Sequence, residues 1–232
     1  MGADYTINLD GETVPVKIRR NVRAKKLILR VSQATGEIKL TLPPFTSIRA
    51  AERFISEHTA WLSTQWSAAS PPPPLAHGDS LPFLGEAQTL LFTDRAPRTV
   101  KHLDETISVG GPADLAGKRL ENWLKRQARD ILMERATYHA ATLGVSFRTI
   151  SIGDMKSRWG SCSSSGMLRF NWRLVMAPFE VLDYVAAHEV AHLCEMNHSD
   201  KFWQHVATCM PDHKIWRRWL KRDGNSLFKI NF

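Results

Sequence analysis

The first hundred residues alternate between apolar and polar positions in short runs, and turn dipeptides separate neighbouring runs. Asp10-Gly11 and Thr35-Gly36 are two of these dipeptides, and Asp-Gly is a frequent hairpin turn. The pattern predicts four pairs of strands. They are 6–9 with 14–18, 27–31 with 37–42, 81–84 with 87–93, and 99–102 with 106–109.

Residues 47–66, between the second and third strand pairs, show helical spacing instead. Their apolar side chains recur at three- and four-residue steps, and Ser47 suits the N-cap position. The proline run 71–74 must end any regular element, so it predicts a short extended spacer.

The pattern becomes mainly helical after residue 112. A helix is predicted from 112 to 143, where Gly144 ends it, and Pro178 opens another. The remaining predictions are a strand at 147–152, a polar loop at 154–166, an extended segment at 167–175, and helices at 202–209 and 213–220. We therefore predict a β-rich N-terminal part with one helix, residues 1–108, and a helix-dominated part, residues 109–232.

Composition favours a folded chain without a membrane partner. Apolar residues make up 43% of the 232 residues, with 8 Trp and 10 Phe, which is enough for a sizeable core. The sequence has no run of 18 apolar residues and no apolar signal region at its start, and its three cysteines form no CxxC pair. These features predict a cytoplasmic protein.

The net charge of +8 favours polyanions or acidic proteins as partners. Positive charge is concentrated in residues 17–26 and 214–222, and tryptophans alternate with basic residues in the second segment. Nucleic-acid binding is one interpretation of this segment. The other is an amphipathic helix with its tryptophans in the core and a solvated basic face.

The most specific motif is His-Glu-Val-Ala-His at residues 188–192, followed by His198. On a helix, His188 and His192 lie about 40° apart around the axis and one turn apart along it, so both imidazoles can reach one metal ion. His198 follows where the helix should end. Three histidines with an open fourth position are typical of a catalytic zinc site.

Each part of this motif predicts a role. Neutral His188, His192 and His198 would bind the metal, while Glu189 would take a proton from the zinc-bound water and pass it to the leaving amine. Three carboxylates are alternatives for the third ligand: Glu195, Asp200 and Asp212. We favour His198, because imidazole is a usual zinc ligand.

The polar segment 158–163 lies between two predicted strands and could sit over the metal. Arg158, Trp159 and Gly160 are therefore candidates for contacts with the substrate or the transition state. The alternative is a tight hairpin with a buried Trp159.

Together these segments resemble the YgjP-like family of zinc metallopeptidases, bacterial relatives of SprT-like and Wss-type proteases. The resemblance is dense from about 112 to 222, and its segments are 158–163, 171–174, 188–192, 196–199 and 202–203. It implies an α+β, zincin-like (minigluzincin-type) catalytic domain preceded by a β-rich N-terminal part. In that fold the HExxH helix lies under a small twisted sheet, and substrate extends along an edge strand. By position, His188, His192 and His198 match the family's metal ligands and Glu189 matches its base.

The leading hypothesis is a zinc-dependent endopeptidase that acts on proteins or peptides. The alternatives are a nucleic-acid-associated module, a protease acting on DNA-bound proteins, and a metal-stabilised scaffold without turnover. Zinc is preferred from the ligand types, although three histidines can also bind other divalent metals.

Overall fold

The structure is a computed structural model that describes residues 4–32, 35–69, 73–155 and 158–232. Half of the predicted proline spacer, residues 71–72, lies outside the described residues. Backbone packing divides the chain into two units, Met1–Pro73 and Pro74–Ile230. Over the described residues the two units hold three sheets and six α-helices, so the fold is mixed α/β.

A four-stranded sheet forms the first unit together with two helices. Its strands are β1 (Asp4–Leu9), β2 (Glu12–Arg20), β3 (Ile28–Val31) and β4 (Ile38–Leu42). The spatial order β1-β2-β4-β3 consists of two antiparallel hairpins joined by parallel pairing of β2 with β4. Both hairpins predicted from the turn dipeptides are confirmed. Alternate residues of β2 and β4 point into a core that is closed by helix residues such as Ile55 and Leu62.

The single helix predicted at 47–66 is two helices. They are α1 (Ile48–Glu57), capped by the Ser47 hydroxyl, and α2 (Thr59–Ala68). His58 separates them because its backbone leaves helical geometry, with φ −109° and ψ 12°. Its Nδ1 lies 2.8 Å from the carbonyl oxygen of Phe54. The apolar spacing continues through this break, so the sequence pattern alone shows one helix.

The second unit begins with a sheet of the same topology as the first. Its strands are β5 (Ser80–Phe83), β6 (Glu86–Thr93), β7 (Val100–Leu103) and β8 (Thr106–Gly110). The order β5-β6-β8-β7 again joins two hairpins through parallel inner strands. A short 3₁₀ turn (Ala113–Leu115) then leads into α3 (Ala116–Leu143), and Gly144 ends this helix in the left-handed conformation.

The second sheet of this unit has three strands. They are β9 (Thr149–Gly153), β10 (Gly160–Cys162) and β11 (Met167–Asn171), in the order β10-β11-β9. β11 is parallel to β9 and antiparallel to β10. Sequence patterning predicted 158–163 as a polar turn and missed β10, since three residues are too few to show alternation.

The extended segment predicted at 167–175 is only partly a strand. Residues Trp172–Met176 form a 3₁₀ helix, in which the Asn171 side chain accepts a hydrogen bond from the Arg173 N–H at 3.0 Å. Apolar residues at every second position, from Leu168 to Leu174, alternate with polar ones, so the sequence shows a strand pattern that continues into the 3₁₀ helix.

One apolar core contains residues from both sides of the boundary predicted between residues 108 and 109. Phe83 of β5 and Ile107 of β8 belong to the same buried cluster as Leu120 and Trp123 of α3. The rings of Phe83 and Trp123 lie 5.1 Å apart. This shared core explains why the packing division falls at 73/74 instead.

Three helices complete the second unit. They are α4 (Phe179–Ala191), α5 (Asp200–Cys209) and α6 (His213–Asp223), followed by a 3₁₀ helix (Gly224–Lys229). The helices predicted after Pro178 and near 202–209 and 213–220 are confirmed. Within the described ranges, no helix has the length and apolar character needed to cross a membrane.

The turn between β5 and β6 is packed against the start of α4. Gly85 has a φ of +88°, and a Cβ added there would lie 2.8 Å from the Cα of Pro178. Beside it, the Leu84 N–H donates to the Val175 carbonyl at 2.7 Å. The first hairpin of the unit therefore fixes the position where α4 begins.

Candidate metal centre

Helix α4 carries the first part of the HExxH motif through the middle of the core. Its apolar residues face neighbours on most sides, and Val181, Leu182 and Ala186 have no exposed surface. His188 and Glu189 occupy its last turn, and His192 is its C-cap residue. The position of the motif is therefore determined by core packing along the whole helix.

His198 reaches the same place from the next turn of the chain. Ser199 begins α5 as its N-cap, with its hydroxyl accepting from the Phe202 N–H at 3.4 Å. His188, His192 and His198 each offer a ligand atom, and these atoms all lie within 4.8 Å of one another. The Nε2 atoms of His198 and His188 are 3.1 Å apart. The structure thus brings together the three histidines selected from the sequence.

Hydrogen bonds orient two of the imidazoles. His192 Nδ1 lies 3.1 Å from the Glu195 carbonyl oxygen, and a carbonyl can only accept, so Nδ1 carries the proton. The Tyr184 hydroxyl lies 3.4 Å from His188 Nδ1. In both rings Nε2 is left to act as the ligand atom, in the usual arrangement of a metal-binding histidine with a polar partner behind it.

Aromatic rings support the histidines from α5. The Phe202 ring, which is fully buried, lies 4.9 Å from His188, 4.4 Å from His192 and 4.7 Å from His198, measured between ring centroids. Trp203 lies 5.8 Å from His198, and the His213 ring stacks on it. The Arg217 guanidinium covers the same indole at 4.4 Å. This packing restricts the rotamers of the three histidines.

Two of the histidines, His188 and His192, are held in their neutral form. Burial lowers the pKa of His188 to about 3, and the charges that His192 and His198 would carry lower it further. Burial also lowers the pKa of His192, although its hydrogen bond to Glu195 opposes this effect. Neutral imidazole is the form that binds a metal, so the donor set fits a divalent ion that accepts nitrogen ligands.

Glu189 follows His188 on α4, and its side chain lies against β10. It is 6% exposed, and burial raises its pKa to about 8 in spite of the opposing charge of Arg158. A Cβ added to Gly160 would lie 2.5 Å from Glu189 Oε1 and 2.8 Å from its Cδ. Only a glycine lets the strand come this close to the carboxylate.

The other two residues predicted to contact substrate differ in their surroundings. Arg158 is exposed and close enough to Glu189 to affect its pKa. The Trp159 ring packs on Phe228, with centroids 4.8 Å apart, and its carbonyl accepts from the Asn171 N–H at 2.8 Å. The ring of Trp159 is thus part of the structural core around the 3₁₀ helix at 224–229.

The carboxylates considered as alternative third ligands do not join the histidines. Glu195 accepts a hydrogen bond from the Asn197 N–H, and Asp212 accepts one from the Trp216 indole. In the part of the chain that the structure describes, the metal-competent group contains His188, His192 and His198 and none of these carboxylates.

A buried ionic cluster that the sequence did not reveal anchors α4 to α3. Asp183 accepts hydrogen bonds from Arg135 Nε at 2.7 Å and Nη2 at 3.1 Å, and His139 Nε2 lies 2.6 Å from its Oδ1. The partners are more than forty residues apart in sequence, so no local pattern marks them. Tyr184, in contrast, precedes His188 by one helical turn and could have been identified from that spacing.

Replacing Asp183 by alanine is expected to destabilise the protein by about 3–5 kcal/mol, since it leaves buried partners without their carboxylate. Burial raises the pKa of Asp183, but the hydrogen bonds from His139 and Arg135 outweigh it, so the pKa lies below its ordinary value. The stabilisation is therefore complete above the unfolded-state pKa and is lost as the pH falls through the folded-state pKa. Thermal unfolding of both proteins at neutral pH and stepwise below about pH 4 measures this. A difference in stability that is unchanged in acid would contradict the ionic role.

Comparison with known proteins identifies one family. The family model described as YgjP-like, metallopeptidase domain, matches residues 25–223. No curated protein matches the chain. A crystal structure of the metallopeptidase zymogen of Pyrococcus abyssi abylysin aligns with 44% of this chain and 98% of its own, at 20% identity and a TM-score of 0.37.

Proposed function

The chain belongs to the YgjP-like metallopeptidase family, and from that premise we propose that it is a zinc-dependent endopeptidase with a zincin-like catalytic fold. Family membership makes it a metal-dependent peptidase with protein or peptide substrates. The choice of zinc, the internal cleavage and the residue roles belong to the proposal.

One observation supports the proposal: Glu189, the residue that follows His188 on the ligand helix, places its carboxylate against the edge of a sheet. His188 and His192 flank this carboxylate on the ligand helix, and Gly160 of β10 contacts it from the other side. β10 is an outer strand of its sheet. An extended peptide alongside β10 would have its backbone next to both the carboxylate and the metal ligands.

His188, His192 and His198 would hold the ion through their Nε2 atoms. When bound there, zinc would supply Lewis acidity, lowering the pKa of a water and polarising the scissile carbonyl. Glu189 takes the proton from the attacking water while the water oxygen bonds to the carbonyl carbon. The carboxyl group then returns the proton to the amine nitrogen as the C–N bond breaks. Because burial raises its pKa, ionised Glu189 is a stronger base than an exposed glutamate.

The start of β10 and the two residues before it would hold the substrate. We assign the contact to the exposed guanidinium of Arg158 and to the backbone of Trp159 and Gly160, since the ring of Trp159 is engaged with Phe228. A guanidinium near the scissile carbonyl would stabilise the charge that develops on its oxygen.

Incubation with unfolded casein tests the function. The zinc-loaded protein is expected to release fragments with new internal ends, identified by mass spectrometry, and a chelator should stop their formation until zinc is restored. Fragments shortened only from one terminus would show an exopeptidase. Casein that stays intact with zinc-loaded, folded protein would count against peptidase activity on unfolded proteins.

The nucleic-acid alternative has no comparable support. Trp216 and Trp219 of α6 are half-buried and pack against the apolar core, as expected for an amphipathic helix. The tryptophans are therefore not available as stacking platforms for bases. DNA binding of this segment, and with it a protease for DNA-bound proteins, stays a prediction.

A further inference from the structure

The edge of the three-stranded sheet opposite β10 is open. β9 pairs with β11 on one side. On its other side, within the described residues, its backbone makes no hydrogen bond to another segment. An open edge offers alternating N–H and C=O groups that an extended peptide can pair with.

A groove of about 390 Å³ runs beside this edge. Ile150 and Ile152 of β9 line it together with Trp172, and α3 contributes three basic side chains on the other wall: Lys125, Arg126 and Arg129. β9 has five residues, so the edge is about 17 Å long at 3.3 Å per residue. This length matches a peptide of about five residues in extended conformation.

The groove has positive charge that the protein itself leaves uncompensated. Arg126 and Arg129 are exposed and form no ion pair with any residue in the described ranges. Lys125 shares the Glu121 carboxylate with Lys118, at 2.7 Å and 2.8 Å, so its charge is balanced only in part. Near the end of β9 the Arg169 guanidinium lies against Gly153, where an added Cβ would be 2.9 Å from Nη2. Two to three cationic groups thus surround one strand edge.

Trp172, at the base of this region, carries a buried donor without a partner among the described residues. Its side chain is fully buried, and its Nε1–H has no acceptor among the residues that the structure describes. Buried donors normally have a partner, and an unpaired one costs free energy. Trp172 also lines the groove.

We propose that this groove binds an extended acidic peptide segment, which adds to the sheet as a neighbour of β9. Carboxylates of the segment pair with Arg126 and Arg129, and its backbone pairs with the open strand. A peptide fits better than a nucleic acid, because only a peptide backbone satisfies a strand edge. The role of the groove in recognising substrate outside the catalytic centre rests on the proposed peptidase function. The binding of an acidic peptide to the groove does not depend on that function.

Fluorescence anisotropy tests the binding with a labelled peptide of about ten alternating glutamate and valine residues. The full-length protein carries Glu189→Gln, so the probe stays intact and catalysis does not affect the result. Arg126→Glu with Arg129→Glu is expected to weaken binding by at least about tenfold. The matched control, Arg49→Glu with Arg53→Glu, changes net charge equally at exposed helix positions of the first unit and should leave the affinity unchanged.

A second probe tests the strand pairing. The same peptide with alternate backbone nitrogens methylated keeps its charges but cannot pair on that edge, so it should bind at least about tenfold more weakly. Equal affinity of the two peptides, equal effects of both double variants, or tighter binding of a single-stranded oligonucleotide would each overturn the proposal. If the glutamate variant does not fold, Arg126→Gln with Arg129→Gln replaces it, judged by the same criteria. Casein cleavage by the protein with intact Glu189 is measured separately, so an inactive enzyme and a missing groove site give different results.

Discussion

Glu189→Gln is expected to lower kcat/KM for peptide hydrolysis by about 10²–10⁴-fold while the metal content stays at one ion per chain. Glutamine has almost the same shape as glutamate and keeps the contact with Gly160, but it cannot take a proton from water. The measurement combines initial rates on a fluorogenic peptide with metal analysis of the same preparation. A scaffold without turnover would have no activity to lose.

The matched control for this variant is Glu195→Gln. Glu195 lies near the site and contributes its carbonyl to His192, but its carboxylate is outside the histidine group. Its replacement should leave the rate unchanged. Gly160→Ala serves as a second variant, because its methyl group would displace the Glu189 carboxylate, and a displacement of about 1 Å can cost about 10²-fold in rate. Full activity of Glu189→Gln would remove the general base from the mechanism.

His198→Ala is expected to weaken metal binding by at least about 100-fold and to remove activity with it. Loss of an outer-shell partner already costs about 10–100-fold in affinity, and loss of a ligand should cost more. The ion would be left with two imidazole ligands, because the group of possible ligands among the described residues contains no carboxylate. Zinc competition against a coloured chelator measures the affinity, and circular dichroism shows whether the fold is kept.

His205→Ala is the control for this experiment. His205 is a half-buried residue of the same region, on α5, and it is not part of the histidine group. It should retain both metal and activity. An unchanged zinc affinity of the His198→Ala protein would show that His198 is not the third ligand. A carboxylate would then be the better candidate, and Glu195→Ala would be the variant to measure.

Local sequence spacing predicted the parts of the centre that lie close together along the chain. His188 and His192 are one helical turn apart, and His198 follows in the loop after the helix. Their closeness in space can therefore be predicted with little knowledge of the rest of the fold. The hairpins at Asp10-Gly11 and Thr35-Gly36 were predictable for the same reason, as turn chemistry acts over a few residues.

Features that depend on distant residues left no such signal. β10 is a strand because β11 pairs with it, and its closeness to Glu189 follows from the packing of the sheet on α4. The bond between Asp183 and His139 joins two helices across 44 residues. The parallel pairing of β2 with β4 and of β6 with β8 also arises from contacts between separate hairpins. Hydrophobic periodicity shows which face of an element is buried, but it does not show which element covers that face.

The contact between Gly85 and Pro178 has a consequence for mutational tolerance. Along α4, Pro178 is roughly 15 Å from His188, so Gly85 contacts the end of the helix that is remote from the histidines. A larger residue at Gly85 would nevertheless push on the end of a rigid helix, and the helix would carry the displacement to the ligands. A genetic selection for loss of activity should therefore recover substitutions at Gly85. The residues of the catalytic centre alone would not identify this position as sensitive to mutation.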